Sequence, residues 1–314
     1  MSLEDPVVIT CAISGALANR DQCPAIPYTP GEYAAEARRI VDEGGVHIHI
    51  HARRPDGTPS YEAKDFAAIH DAIRAEVGDA AILNFSTGTI GVSVKKRIEY
   101  LRACPPEVAA LNMGSMNYAK YSTRRKDFVF STIFPNPFDE IIQLLKAMRE
   151  LGIKPEHECF DLGHVGSLWP LIDMGVLAAP LHADFVMGVV GGVPATARNL
   201  AAMADNLPEG VDAHWGVIGI SRLQWTMIAA ALALGGSIRV GLEDNLYLPD
   251  GEMARSNGDL IARARQMTVD AGRRPATVEE ARALLGLAER SPRGRGSGRE
   301  LAQGLAPTSS EPQS

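Results

Sequence analysis

GEYAAEARRIVDEG (residues 31–44), followed at once by GVHIHIHA (residues 45–52), decides the fold. In the first segment the apolar side chains recur at helical spacing. In the second they alternate with polar ones in the two-residue period of a strand. A helix that feeds a short, β-branched strand is the repeating unit of a parallel sheet. The same switch of period recurs along the chain. Strand-like runs lie near 7–13 (VVITCAI), 45–52, 81–86, 108–113, 157–161, 183–189, 213–218 and 237–243 (SIRVGLE). Helical patterns lie near 31–44, 62–77, 92–103, 138–151, 165–175, 195–206, 221–235 and 253–271. Eight strands and eight helices in strict alternation predict parallel strands with right-handed crossovers. The expected architecture is a single-domain (β/α)₈ TIM barrel. An open doubly wound sheet is the alternative, and the lack of a G-x-G-x-x-G turn after the first run weighs against its dinucleotide-binding form.

Bulk properties agree with that class. The chain has 314 residues, 46% hydrophobic and 22% charged, enough for a large core. A formal net charge of −7 argues against non-specific nucleic-acid binding. The four cysteines (Cys11, Cys23, Cys104, Cys159) lack metal or disulfide spacing and are expected to be reduced and buried. The N-terminus does not read as a secretory signal, and no apolar run is long enough to span a bilayer, so a cytoplasmic protein is expected. The barrel domain is placed at residues 1–288. The Gly/Pro/Ser-rich tail, 289–314, is expected to be disordered. Two long insertions, 15–30 and 112–137, follow the first and fourth runs and are read as rim loops. They would lie at the C-terminal mouth, where barrels of this kind build their sites.

Chemistry concentrates at the ends of the strands. His49 and His51 share a face of their strand, as do His47 and Arg53, and a parallel barrel strand has no solvated face to explain them. Arg239, Gly241 and Glu243 are expected on one face of the last strand, with Asp244 at its end. Gly241 is read as leaving room for a ligand. Two imidazoles and the Glu243 carboxylate make a three-ligand set that holds a divalent metal with positions open for substrate. The alternative for the last strand is a structural Arg/Glu pair. His47 lies one layer deeper and is read as a hydrogen-bonded core residue. A carboxylate such as Asp244 beside a metal is suited to moving a proton. Ser86, Thr87 and Gly88 end the third run, where hydroxyls and amides suit a carboxylate or phosphate, or cap the next helix. Gly191 and Gly192 follow the sixth run, as a cofactor-phosphate site or a plain turn. His164 is read as structural. Arg124, Arg125 and Lys126 are either a solvated loop or partners for cofactor phosphates.

The segments VVITCAISGA, PAIPYTPGEYAAEA, HIHARRPDGTPSY, LNMGSMNYA, FDLGHVGSL, GVVGGVPATARNL, WGVIGISRLQ and IRVGLEDNLYLPDG together resemble the β-keto acid cleavage enzymes. The resemblance spans roughly residues 7–270, and H-x-H-x-R with R-V-G-L-E-D in that order is its specific mark. It implies a (β/α)₈ barrel and a zinc-dependent reaction in which a β-keto acid and acetyl-CoA give acetoacetate and a new acyl-CoA. It implies Zn²⁺ ligation by His49, His51 and Glu243, and proton removal by Asp244 with Arg239. It further implies a substrate-contacting Ser86, with Glu158 and Asn112 as substrate-site residues. A symmetric homo-oligomer such as a tetramer is implied as well. Where the family has an acidic residue after the first strand's Gly-Ala, this chain has Leu17. A cationic substrate side chain is therefore disfavoured, and a neutral or acidic β-keto acid is favoured. Two other readings compete. The first is a metal-dependent hydrolase of the amidohydrolase type, which puts its H-x-H on the first strand. The second is a metal-binding barrel without catalysis.

Overall fold

A computed structural model describes residues 2–288. Its strands in chain order are β1 (Ile9–Ala12), β2 (His47–Ile50), β3 (Ile82–Ser86), β4 (Val108–Asn112), β5 (Met116–Ser122), β6 (Asp127–Phe134), β7 (Lys154–Cys159), β8 (Leu181–Met187), β9 (Ala213–Gly219) and β10 (Ser237–Val240). Its helices are α1 (Pro30–Asp42), α2 (Ala63–Val77), α3 (Val94–Ala103), α4 (Phe138–Glu150), α5 (Leu162–Gly166), α6 (Leu168–Asp173), α7 (Ala197–Asp205), α8 (Leu223–Ala233), α9 (Asn257–Asp270) and α10 (Val278–Leu284). Eight strands close into a parallel barrel in the order β1-β10-β9-β8-β7-β4-β3-β2, with β2 returning to β1. Every expected strand and helix is present within a few residues of its expected limits, except that the helix expected over 165–175 is two short ones, α5 and α6.

Local chemistry sets the element ends. Thr29 caps α1 with a reciprocal Thr29–Glu32 capping box and Pro30 at its first turn, where a proline costs no hydrogen bond. Ser93, Thr196 and Ser256 cap α3, α7 and α9 through their hydroxyls. The outer faces of the strands and the inner faces of the helices form one apolar cluster that includes Ile9, Ile48, Phe85, Leu111, Phe185 and Ile228. The inside of the barrel is polar by contrast, which is affordable only if those groups find partners.

Two parts of the fold differ from the sequence reading. Residues 112–137 are not an open rim loop. Met116–Ser122 and Asp127–Phe134 pair as an antiparallel hairpin that lies over the mouth. Met116 and Phe134 pack on Phe160, Val186 and Ile218, the apolar ends of the neighbouring staves. The last strand also stops early, at Val240 rather than 243. Gly241 has φ +143°, and the chain turns there.

The floor of the barrel is closed by a helix the sequence reading does not include. α10 carries Ala281 and leads to Leu285, and both pack on Val8, Val46, Ile82 and Val108 at the strands' N-terminal ends. The four cysteines are free and buried, as expected. No helix among the described residues is long and apolar enough to cross a membrane. The tail from 289 lies outside the described residues.

Leu285 is fully buried in the floor. Leu285→Ala should cost about 2–5 kcal/mol, read as a lower denaturation midpoint in urea with an unchanged slope.

Candidate active site and metal centre

Strand periodicity brings the first two candidate ligands together. His49 sits in β2 and His51 two residues on, with ring centroids 5.3 Å apart. Tyr33 and Ser14 donate hydrogen bonds to the His51 carbonyl at 2.7 and 3.2 Å and fix the backbone as it leaves the strand. The third ligand arrives by a different route from the one expected. Glu243 lies in the turn after β10, and its amide donates to the Ala12 carbonyl of β1 at 3.2 Å. Gly15, with φ +60°, passes over Glu243, and a Cβ there would lie 2.7 Å from Glu243 Cγ. His51 Nε2 stands 3.4 Å from Glu243 Oε1, and His49 Nε2 stands 3.7 Å from Glu243 Oε2.

One donor atom from each of the three lies within 4.8 Å of the other two. Both ring nitrogens of His49 and Glu243 Oε2 are buried without a hydrogen-bond partner. Burial first, then the nearby Arg239, pushes His49 well below the usual histidine range, so it is a neutral imidazole with a free lone pair. Burial opposes ionisation of Glu243. His51, Arg239 and His49 outweigh it and hold the carboxyl well below the usual carboxylate range. Two imidazoles and an ionised carboxylate, with orphaned donor atoms on His49 and Glu243, fit a divalent cation.

Arg239 organises the rest. Its Nε and Nη2 donate to both oxygens of Asp244, at 2.9 and 3.0 Å. Its Nη1 donates to Glu158 Oε1 at 3.0 Å and its Nη2 to Glu243 Oε1 at 2.9 Å. One guanidinium thus serves three carboxyl groups. If all three ionise, the surplus is two negative charges, the charge of one divalent cation. Burial is the stronger influence and pushes the Asp244 carboxyl up to about 7 against the pull of Arg239. Burial likewise raises Glu158, again with Arg239 opposing.

The network continues around the wall. Asn112 Nδ2 donates to Glu158 Oε2 at 2.8 Å. Asn112 Oδ1 lies so near Gly88 that a Cβ there would stand 2.9 Å away, with Ser86 Oγ next at 3.5 Å. Ser86 Oγ accepts from the Gly88 amide at 3.1 Å, and Thr87 Oγ1 donates to the Ala110 carbonyl. Ser86 and Thr87 do not cap the following helix; Ser93 does. Ser86, Gly88, Asn112, Glu158, Arg239, Glu243 and Asp244 therefore form one continuous polar rim beside the histidines, and Thr87 is tied to the adjacent strand.

Other candidates fall elsewhere. The space at Gly241 is taken by β1, since a Cβ would lie 2.1 Å from the Ala12 carbonyl oxygen; it holds no ligand. Gly191 and Gly192 also meet protein backbone, the carbonyls of Asn117 and Phe160 respectively. Arg124, Arg125 and Lys126 occupy the exposed tip of the β5–β6 hairpin. Arg53 is buried and donates to the carbonyls of Ser14, Gly15, Ala18 and Gly57, which ties the loops after β1 and β2 together. His47 bonds Thr10 Oγ1 at 3.0 Å, the core role expected of it. His164 Nδ1 accepts from the Phe160 amide at 3.2 Å, a structural contact. His182 lies inside β8 and in the barrel core.

A family model described as beta-keto acid cleavage enzyme matches residues 6–287. A 3-keto-5-aminohexanoate cleavage enzyme of Fusobacterium nucleatum is 36% identical over 283 residues, covering 90% of this chain and 98% of its own. A 3,5-dioxohexanoate:acetyl-CoA acetone transferase of Paraburkholderia graminis is 34% identical, over 91% of this chain and 97% of that protein. A 3-oxoadipate:acetyl-CoA acetyltransferase of Cupriavidus necator is 34% identical, over 91% and 96%. Among solved structures, the apo structure of ObcA superposes with a TM-score of 0.71 at 21% identity, covering 84% of this chain and 66% of that one. The last comparison supports the fold.

Arg239→Met should leave Glu158, Glu243 and Asp244 buried without their shared cation. The expected loss is about 3–5 kcal/mol of unfolding free energy. The carboxyls can take up protons in acid, which removes the uncompensated charge, so the deficit in denaturant titrations should be smaller at pH 5 than at pH 8.

Proposed function

The chain belongs to the beta-keto acid cleavage enzyme family, and from that premise we propose that it converts a β-keto acid and acetyl-CoA into acetoacetate and a new acyl-CoA, with a zinc ion held by His49, His51 and Glu243. The observation that carries this reading is the set of orphaned donor atoms on His49 and Glu243, with the Arg239-clamped Asp244 following Glu243 in the chain. A divalent cation at that set would polarise the keto oxygen of the substrate and so make its α-hydrogen more acidic. Everything else is supplied by side chains.

Asp244 accepts the α-proton. Arg239 holds both its oxygens through two N–H groups, so the acceptor lone pair is fixed in direction before substrate arrives. A carboxyl raised to about 7 by burial is a stronger base than an exposed aspartate, which suits a carbon acid near neutrality. Ser86, Gly88 and Asn112 form the wall where the carboxylate end of the substrate is held. Glu158 keeps Asn112 and Arg239 aligned through one hydrogen bond to each.

The α-carbon then forms a bond to the acetyl carbonyl carbon, and the bond from that carbon to sulfur breaks. The released thiolate adds to the keto carbonyl, the bond from the keto carbon to the α-carbon breaks, and Asp244 returns its proton to that α-carbon. Acetoacetate leaves with the former acetyl group at its methyl end, and the substrate's side chain leaves as acyl-CoA. Atoms balance without oxidant or reductant. Arg124, Arg125 and Lys126 on the hairpin tip are the basic side chains offered to the CoA phosphates; the amides of Gly192 and Val193 already donate to the Val189 and Phe160 carbonyls.

Leu17, on the loop after β1, favours a neutral or acidic substrate side chain over an amino-bearing one. The chemistry needs no second subunit, and we propose a homo-oligomer on the family's account alone. A hydrolase of the amidohydrolase type is less well supported: the H-x-H is on β2, and His182 is sealed in the core instead of lying at the mouth. A barrel that only binds metal leaves the clamped Asp244 without a purpose.

His49→Ala should lose bound zinc and turnover together, with zinc read by elemental analysis. Asp244→Asn should keep zinc and lower kcat by about 10²–10⁴-fold with a panel of β-keto acids and acetyl-CoA. Normal turnover by Asp244→Asn would remove Asp244 as the base.

A further inference from the structure

The polar interior continues below the His49 layer into a second set of donors that the proposed chemistry does not use. His182 and Asp184 alternate on β8, as His49 and the residue two on do at β2, and Glu156 projects from the adjacent strand β7. One donor atom of each lies within 4.8 Å of the other two. His182 Nε2 is 3.3 Å from Asp184 Oδ2. Two ligands that are each about 2.0–2.1 Å from one tetrahedral zinc ion stand roughly 3.3 Å apart. The corresponding gap in the upper set, His51 to Glu243, is 3.4 Å.

The lower set is sealed from solvent: Glu156 is 0% exposed, His182 2% and Asp184 4%. Glu156 accepts from Asn84 Nδ2 through one oxygen, and its other oxygen, Oε1, has no hydrogen-bond partner. Neither carboxyl has a lysine or arginine ion-pair partner among the described residues; Asp184 faces His182, and its carboxyl also meets that of Glu156, a pair that can share one proton. Gly216, beside Asp184 on β9, makes room for its carboxylate, since a Cβ there would lie 2.2 Å from Asp184 Oδ1. The His47 ring packs on His182 with centroids 5.6 Å apart, which separates this set from the solvent below.

Two acidic groups in a low-dielectric interior need either protons or a cation. A proton shared by Glu156 and Asp184 quenches one charge. A divalent cation quenches both, takes Glu156 Oε1 as a ligand and accounts for the histidine beside them. We propose that Glu156, His182 and Asp184 bind a second divalent cation of the zinc class, buried one layer beneath His49, where it holds β7 and β8 together. Because it is sealed, this ion would be bound as the chain folds and would hold the strand that carries Glu158. The two sets are neighbours, since donor atoms of His49, Glu156 and Glu158 also lie within 4.8 Å of one another, so the test must resolve two positions.

The test uses the full chain produced in zinc-supplemented medium and freed of loose metal by gel filtration. Anomalous diffraction above the zinc edge should show two peaks, one at each donor set, with close to two zinc ions per chain by elemental analysis. The double variant His51→Ala/Glu243→Ala, stripped of two upper ligands, should retain one zinc per chain. Adding Asp184→Asn should remove that one as well. A single peak at the upper set overturns the proposal, because it shows Glu156 and Asp184 sharing a proton or a water instead. A metal-free double variant that is folded by circular dichroism overturns it too. Should Asp184→Asn fail to fold, the wild-type peaks decide alone. A peak only at the lower set would support this site and refute the upper one.

Discussion

One guanidinium holds the mouth of this barrel in order. Arg239 comes from the last stave and spends its N–H groups on Asp244, Glu243 and Glu158. Its own charge is opposed by burial, and the three carboxyls, with Asp244 foremost, more than restore it. Without it, three acids would be buried in one small volume. With it, Asp244 is aimed, Glu243 is held near His51, and Glu158 is fixed where it can orient Asn112. The arrangement also leaves negative charge in excess, which a divalent cation at His49, His51 and Glu243 would balance. Structure, electrostatics and the proposed chemistry therefore rest on the same side chain.

The scaffold explains how residues so distant in sequence meet. His49 and His51 belong to β2 and its exit, and Arg239 to β10; β1 lies between them in the closed sheet. The strand ends converge at one mouth because all eight staves run parallel. Backbone freedom at two points completes the fit. Gly241 turns the chain out of β10 against the Ala12 carbonyl, and Gly15 lets the loop after β1 pass directly over Glu243. A side chain at either point would displace the carboxylates rather than merely crowd a loop. The hairpin β5–β6 then covers the apolar ends of β7, β8 and β9, which separates the polar half of the mouth from an apolar half.

Most of this was legible in the sequence, for identifiable reasons. The eight staves were readable because each buried strand is a short β-branched run and each helix has a 3.6-residue apolar period. His49 and His51 were readable because a barrel strand has no wet face to excuse them. Glu243 was placed with Arg239 on an assumption of extended backbone that fails at Gly241. The pair still meets, because a tight turn also brings residues four apart together. The hairpin was missed because MNYAKYS carries a polar face and lies in a segment rich in turn formers, so its pairing depends on contacts with other staves. The floor helix α10 was missed because it is short and buries few residues. Glu156, His182 and Asp184 were not singled out: Glu156 lies in the polar run KPEHE, His182 and Asp184 share a face of one strand, and only the closed sheet brings the three together.

The account makes one claim above the others: this mouth joins the α-carbon of a β-keto acid to the acetyl group of acetyl-CoA. Acetyl-CoA labelled with ¹³C at the acetyl carbonyl tests it most directly, followed by NMR with a neutral β-keto acid and the zinc-loaded protein. The account predicts that the label appears at the keto carbon of acetoacetate while the substrate's own acyl carbons appear, unlabelled, as a new CoA thioester. Label that stays in acetyl-CoA, or emerges as free acetate, across the β-keto acid panel would contradict it.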